Sequence, residues 1–213
     1  MAIEIIRCEQ NTPEWLTARL GIPTASEFAT VMAKGRSKGE RSKTRDAYMR
    51  RLADEVIYGE IEENGYTNPN MERGKVMQAE AESIYALTHD VELDRVGCIR
   101  HVDDYTLLPT YGCSPDALIG DKGQLEIKTT YPQLLVGMHL AGVFPSEHLP
   151  QCQGGLWVSE REWIDLMVYW PRRKPFIKRA YRDEKYIMLI EVEVRRFLDE
   201  LNDMVERMRR LAA

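Results

Sequence analysis

The sequence predicts an α/β or α+β sandwich. Apolar residues recur at helical spacing towards both ends, the period drops to two through the middle, and no repeat, low-complexity tract or linker divides the 213 residues. Helices before, between and after a central set of strands must cover the faces of the sheet, which gives layered packing. A chain of this length can bury one sizeable core, so a single domain over 1–213 is expected.

Each element has a local reason. Thr12-Pro13-Glu14 joins an N-cap residue to a proline whose missing N–H costs nothing in a first turn, which opens a short helix. Ser26-Glu27-Phe28 starts a second helix into a mixed apolar run. Residues 34–44 are polar, basic and glycine-containing and read as a mobile loop, with helix resuming over 45–58. Asn64-Gly65 and Asn68-Pro69 are turn signals, and a long helix follows over 71–87. The period then changes. Residues 91–102, 111–119 and 124–130 read as strands, and Gly120-Asp121-Lys122-Gly123 joins the last two as a hairpin. Helices over 132–141 and 150–158 precede a strand at 163–170. Val194, Phe197, Leu198, Leu201, Met204, Val205 and Met208 share one face of a C-terminal helix, most simply a core-packing stripe.

Composition narrows the class. The chain is 44% hydrophobic and 30% charged, ordinary for a folded soluble protein. No apolar run approaches the roughly 18–20 residues that a membrane-spanning helix needs. The start, MAIEIIRCEQ, places Glu4 and Arg7 among its apolar residues, unlike a signal peptide. Cys8, Cys98, Cys113 and Cys152 lie far apart with no CxxC, which argues against zinc or iron–sulfur sites and for reduced thiols in the cytoplasm. His89, His101, His139 and His148 add no metal-binding spacing, and Trp157, Trp163 and Trp170 read as core or interface aromatics. The net charge of −5 hides local asymmetry: residues 34–51 carry +6 and residues 172–185 carry +5. A polyanion responds to such local patches, because fields are screened within about 10 Å at physiological salt.

The chemistry concentrates in Ser114-Pro115-Asp116 and, across the predicted hairpin, Glu126-Ile127-Lys128. Strand alternation puts Glu126 and Lys128 on one face and turns Ile127 into the core. Asp116, on the partner strand, brings a second carboxylate to Glu126. Two hard oxygen ligands with open positions suit Mg²⁺ or Mn²⁺, which take substrate phosphate oxygens and activate water. A lysine beside that water can orient it, or act as a base if its pKa is depressed. Alternating charges on a surface strand would produce the same letters; the hairpin favours the chemical reading.

The Pro-Asp pair followed by Glu-x-Lys resembles the signature of the PD-(D/E)XK nuclease superfamily. More narrowly, the chain is similar to the family of bacteriophage lambda exonuclease and viral-type recombinases. That resemblance covers most of the chain: Trp15-x-x-x-Arg19-Leu20-Gly21, Thr24-Ala25-Ser26-Glu27, and Val31-Met32-Ala33-Lys34-x-Arg36-Ser37 match in order. Cys113-Ser114-Pro115-Asp116, Leu125-Glu126-Ile127-Lys128 and Gln151-x-Gln153 complete the series at compatible spacing.

The resemblance implies a restriction-endonuclease-like α/β core, a central mixed sheet flanked by helices. It implies catalytic roles for Asp116, Glu126, Lys128 and Gln151, with Asp116 and Glu126 binding Mg²⁺ and Gln151 helping to orient the lysine. Arg19, Ser26 and Ser114 match residues that hold a 5′-phosphate, and a guanidinium fork with hydroxyls suits that task. Arg36 matches an arginine that reaches over the DNA. One position departs from the family. Four residues after Gly74 a glutamate facing the metal is usual, and here Gln78 stands. Glu82, one turn on, could compensate, whereas Glu80 points about 200° away. A further family acid has candidates in Asp103 and Asp104.

The function expected from the resemblance is a 5′→3′ exonuclease on double-stranded DNA ends, releasing 5′-mononucleotides and leaving 3′ single-stranded overhangs. A homotrimeric ring around DNA and a single-strand annealing protein as recombination partner are implied too, in the cytoplasm of a bacterial host and without a membrane. Two alternatives stand beside it: an endonuclease with the same three catalytic residues, and a DNA-end-binding module that Gln78 has disabled.

Overall fold

The computed structural model describes residues 2–35, 37, 42–61 and 69–212. In chain order the elements are β1 (Ala2–Ile6), α1 (Pro13–Ala18), a 3₁₀ turn (Ala25–Glu27), α2 (Phe28–Val31), α3 (Lys43–Tyr58) and α4 (Pro69–His89). The strands β2 (Cys98–Val102), β3 (Pro109–Cys113), β4 (Ala117–Ile119) and β5 (Gly123–Thr129) follow. The chain ends with α5 (Pro132–Ala141), a 3₁₀ turn (Ser146–His148), α6 (Leu149–Ser159), β6 (Trp163–Tyr169), β7 (Phe176–Tyr181) and α7 (Glu184–Ala212).

The strands form two sheets. β1, β2 and β3 make an antiparallel sheet, and β4-β5-β6-β7 make a mixed one in which only β5 and β6 run parallel. The β5–β6 crossover carries α5 and α6 over one face, where Leu135, Cys152 and Leu156 bury against Ile164, Leu166 and Val168. α4 covers the other face, packing Met77, Ala81 and Tyr85 on Leu125, Ile127 and Met167. Residues 124 and 126 therefore face α6 while Leu125 and Ile127 face α4, the alternation expected of a strand. Gly155 lets this contact close: a Cβ there would stand 3.0 Å from Gln124 Oε1, and Gln124 Nε2 donates to the Gly155 carbonyl.

α7 is the core-packing helix its apolar stripe predicts. Val194, Phe197, Leu201 and Val205 are buried against Met49 and Leu52 of α3 and against Trp157 and Val158 of α6, while Met208 is exposed. The capping signal at Thr12 is borne out as well: Thr12 caps α1 by accepting from the Trp15 N–H. Ser42, which the sequence places in the loop over 34–44, caps α3 by accepting from the Arg45 N–H. α3 thus begins at Lys43, ahead of the expected 45.

Three expectations change, and two strands appear that were not expected. The helix expected from Ser26 is a 3₁₀ turn followed by the single turn of α2; Thr24 stands at the N-cap position without a side-chain cap, its hydroxyl lying 3.3 Å from that of Ser26. The strand expected over 91–102 is reduced to β2; before it only Asp94 bridges to Leu118. The strand expected over 111–119 is two, β3 and β4, in different sheets. Pro115 between them has no N–H for a ladder, so the chain leaves one sheet at Ser114 and enters the other at Ala117. Two edge strands, β1 and β7, carry no clear sequence signal; in β7 the alternation is hidden by Lys178 and Arg179. The turn at Asn64-Gly65 and the residue Asn68 lie outside the described residues.

Candidate active site

The site forms where the C-terminal half of β5 meets the first turns of α6, the end of a parallel strand pair where α/β sheets place ligands. Asp116 sits one residue before β4. Its Oδ2 accepts from the Ile127 N–H at 2.5 Å, and its Oδ1 accepts from Gln78 Nε2 at 2.8 Å. Glu126 is 6% exposed, and its Oε1 receives both Lys128 Nζ at 2.8 Å and Gln151 Nε2 at 2.6 Å. Gln151 therefore reaches the lysine through the carboxylate they share.

Burial and the neighbouring Glu126 push the Asp116 carboxyl well above the usual carboxylate range; the Ile127 N–H and Lys128 pull against this, and Glu82 adds to it. Burial alone would lower the Lys128 pKa, but the charge and hydrogen bond of Glu126, with Asp116 behind it, leave it raised. Lys128 is thus held as an ammonium, a donor placed to orient a water.

Two carboxylates set side by side in a half-buried place, with Glu126 disfavouring the charge of Asp116, are a fitting seat for a divalent cation. Among the described residues no three His, Cys, Asp or Glu side chains form a ready-made cage, so Asp116 and Glu126 fit as a two-carboxylate site with remaining positions open to water and phosphate.

The three residues matched to a 5′-phosphate also come together. Arg19 NH1 donates to Ser114 Oγ at 3.5 Å and NH2 to Thr24 Oγ1 at 3.0 Å, while Thr24 Oγ1 and Ser26 Oγ lie 3.3 Å apart. Trp15 supports the cradle from below: the Arg19 guanidinium lies 4.0 Å over its ring, and its Nε1 donates to Ser114 Oγ at 3.0 Å. Burial lowers the Arg19 pKa, while its hydrogen bonds among the described residues go to hydroxyls, leaving its charge for an anion. Gly154 permits the geometry, since a Cβ there would fall 2.3 Å from the Phe28 ring behind the Ser26 turn.

A single cavity of about 90 Å³ is lined by Arg19, Ser26 and Ser114 on one side and by Glu126 and Gln151 on the other. Arg36 lies outside the described residues. Neither Asp103 nor Asp104 belongs here. Asp103 Oδ1 accepts from the N–H groups of Tyr105 and Thr106 in the turn before β3, at the opposite end of that strand from Ser114.

Sequence reasoning missed Thr24 and Gln10. Thr24 could have been found as the first of the hydroxyls in Thr24-Ala25-Ser26. Gln10 has no local signal: it lines the same cavity, and its amide donates to the Pro115 and Val96 carbonyls, 105 and 86 residues away in sequence, at 2.9 and 3.2 Å. The basic segments prove less free than their counts suggest. Arg45 pairs with Glu200, Arg179 with Asp165 and Arg182 with Glu184.

The model of the YqaJ-like viral recombinase domain matches residues 14–162. No curated protein sequence matches the chain significantly. The crystal structure of an alkaline exonuclease (LHK-Exo) from Laribacter hongkongensis is similar at 32% identity and a TM-score of 0.80, covering 94% of this chain and 98% of that one. LHK-Exo in complex with dAMP gives a TM-score of 0.81 at the same identity and coverage. A phage related exonuclease from Haemophilus somnus 129PT shares the fold at 14% identity and a TM-score of 0.61, covering 88% of this chain and 96% of that one. Among the described residues no helix is long and apolar enough to cross a membrane.

Proposed function

This chain belongs to the YqaJ-like viral recombinase family, and we propose that it is a Mg²⁺-dependent 5′→3′ exonuclease acting on double-stranded DNA ends. The observation that carries the reading is the shared cavity, in which Arg19, Ser26 and Ser114 sit beside Glu126 and Gln151. Mg²⁺, with Mn²⁺ as a substitute, held by Asp116 and Glu126, would supply a Lewis acid for the phosphate and lower the pKa of the attacking water.

The chain's own residues do the rest. Arg19 and the hydroxyls of Ser26 and Ser114 receive the terminal 5′-phosphate, which positions the next phosphodiester at the carboxylates. Lys128 donates to the water and aims it at phosphorus, while Gln151 keeps the Glu126 carboxylate turned towards its partners. Water, its proton lost to solvent, adds to phosphorus; the P–O3′ bond breaks, and a solvent proton completes the leaving 3′-hydroxyl. A 5′-mononucleotide leaves with a 3′-hydroxyl, and the shortened strand carries a new 5′-phosphate for the same cradle. The similarity to LHK-Exo, an exonuclease seen in complex with the mononucleotide dAMP, supports this reading. Repeated cycles leave a 3′ single-stranded overhang, the substrate a single-strand annealing protein would take up for recombination. A homotrimeric ring would keep a protein of net charge −5 on a polyanion by topology.

The test is digestion of linear duplexes bearing 5′-phosphate or 5′-hydroxyl ends, with closed circular DNA alongside and EDTA as control. Fast loss of the phosphorylated duplex, with the circle intact, is expected. Cutting of the circle would make the enzyme an endonuclease, and no digestion in Mg²⁺ would reduce it to an end-binding module.

A further inference from the structure

α4 presents Gln78 and, one turn on, Glu82 to the site from the face of the sheet opposite α6. Gln78 Nε2 donates to Asp116 Oδ1 at 2.8 Å and to Glu82 Oε1 at 3.3 Å. With a carboxylate oxygen on either side, the amide must turn its NH₂ inward, since its carbonyl would meet two acceptors. A neutral donor thus stands between two anionic oxygens, the place a bridging cation would take.

Glu82 is already neutralised from behind. It is 5% exposed, and Arg95 closes on its Oε2 with Nε at 2.6 Å, its own side chain reaching out to solvent. Asp116, Glu126 and Glu82 face the two cations Lys128 and Arg95, so with all three carboxyls ionised around a bound ion a single negative charge would be left for that ion to meet. One divalent ion at Asp116 and Glu126 reverses that sign; a second would find Asp116 Oδ1 and Glu82 Oε1 joined by the amide.

Resting on the reading that Asp116 and Glu126 hold the catalytic cation, we propose that Gln78 excludes a second ion and sets the number of divalent cations at one per chain. A glutamate at this position would replace the shared donor by two acceptors and open a second seat between Asp116 and Glu82. The substitution therefore decides ion count while leaving the Asp116–Glu126 pair in place.

The test is a titration of Mn²⁺ into the metal-free full-length protein, with free Mn²⁺ followed by electron paramagnetic resonance. Wild type is expected to bind one Mn²⁺ per chain and Q78E to bind two. Should Q78E fail to fold, by circular dichroism, Q78A removes the donor without adding charge and is expected to admit the second ion more weakly. Two ions in wild type would overturn the proposal, because the amide would then have turned its carbonyl inward as a ligand. One ion in every folded variant would overturn it too. No bound ion in wild type would remove the metal-dependent function itself, an outcome distinct from a count of two.

Discussion

Gln151, in the first turn of α6, donates a 2.6 Å hydrogen bond to Glu126 in the C-terminal half of β5. The bond spans the helix–sheet contact and lands on a buried carboxylate. Removing one donor from a buried charged acceptor costs about 1–3 kcal/mol. Gln151→Ala should therefore lower kcat about 10–100-fold, by the usual 1.4 kcal/mol per decade, with little change in affinity for a DNA end. A loss confined to end binding, with kcat intact, would mean that Gln151 touches DNA and does not serve Glu126.

Arg19 offers an anion its charge, set over the Trp15 ring and flanked by the hydroxyls of Thr24 and Ser114. Arg19→Ala should slow digestion of 5′-phosphorylated ends and bring them level with 5′-hydroxyl ends. Arg19→Lys should recover only part of the difference, because an ammonium is a point charge without the guanidinium fork. Rates measured on paired substrates decide it; equal slowing of both ends would move the 5′-phosphate elsewhere.

Asp165 on β6 is 2% exposed and is held by both arms of Arg179 on β7, with the Tyr85 hydroxyl of α4 donating to its Oδ2. Arg179→Ala leaves that carboxylate with Tyr85 alone. Because the arginine is partly exposed, destabilisation toward the low end of about 3–5 kcal/mol is expected. Denaturant midpoints would show it, and Asp165→Asn in the same background should restore part of the loss. A change under about 0.5 kcal/mol, the range of ordinary surface substitutions, would mean that water replaces the guanidinium.

His101 stacks 4.7 Å from the Tyr111 ring, and its Nε2 lies 2.9 Å from the Val158 carbonyl, so the neutral ring carries its proton there. Burial lowers its pKa, against the pull of that carbonyl. A folded-state pKa below the unfolded value means that the contribution to stability is whole above about pH 6.5 and is lost as pH falls through the folded pKa. Melting temperatures from pH 8 to pH 5 should fall, and the fall should be shallower in His101→Gln. The same slope in both proteins would assign the acid sensitivity to other groups.

The sequence by itself determined what depends on near neighbours. Thr12 caps its helix because capping needs only a side-chain oxygen and an N–H three residues on. Glu126 and Lys128 share a face because a strand alternates whatever it pairs with. The apolar stripe from Val194 to Val205 is buried because one side of a helix must be covered. The ordered residue blocks also carried the family, confirmed over 14–162.

Only the tertiary structure decided what depends on partners distant in sequence. Residues 111–119 look like one strand, but pairing with β2 on one side of Pro115 and with β5 on the other divides them between two sheets. Arg179 reads as part of a basic patch until its charge is committed to Asp165. Gln78 reads as a lost ligand until its amide is found between Asp116 and Glu82. Gln10 carries no pattern, yet its amide holds the carbonyl of Pro115. Periodicity and capping are short-range properties of a backbone, legible within a few residues. A side-chain hydrogen bond joins groups dozens of residues apart, and only the packed fold sets their distance.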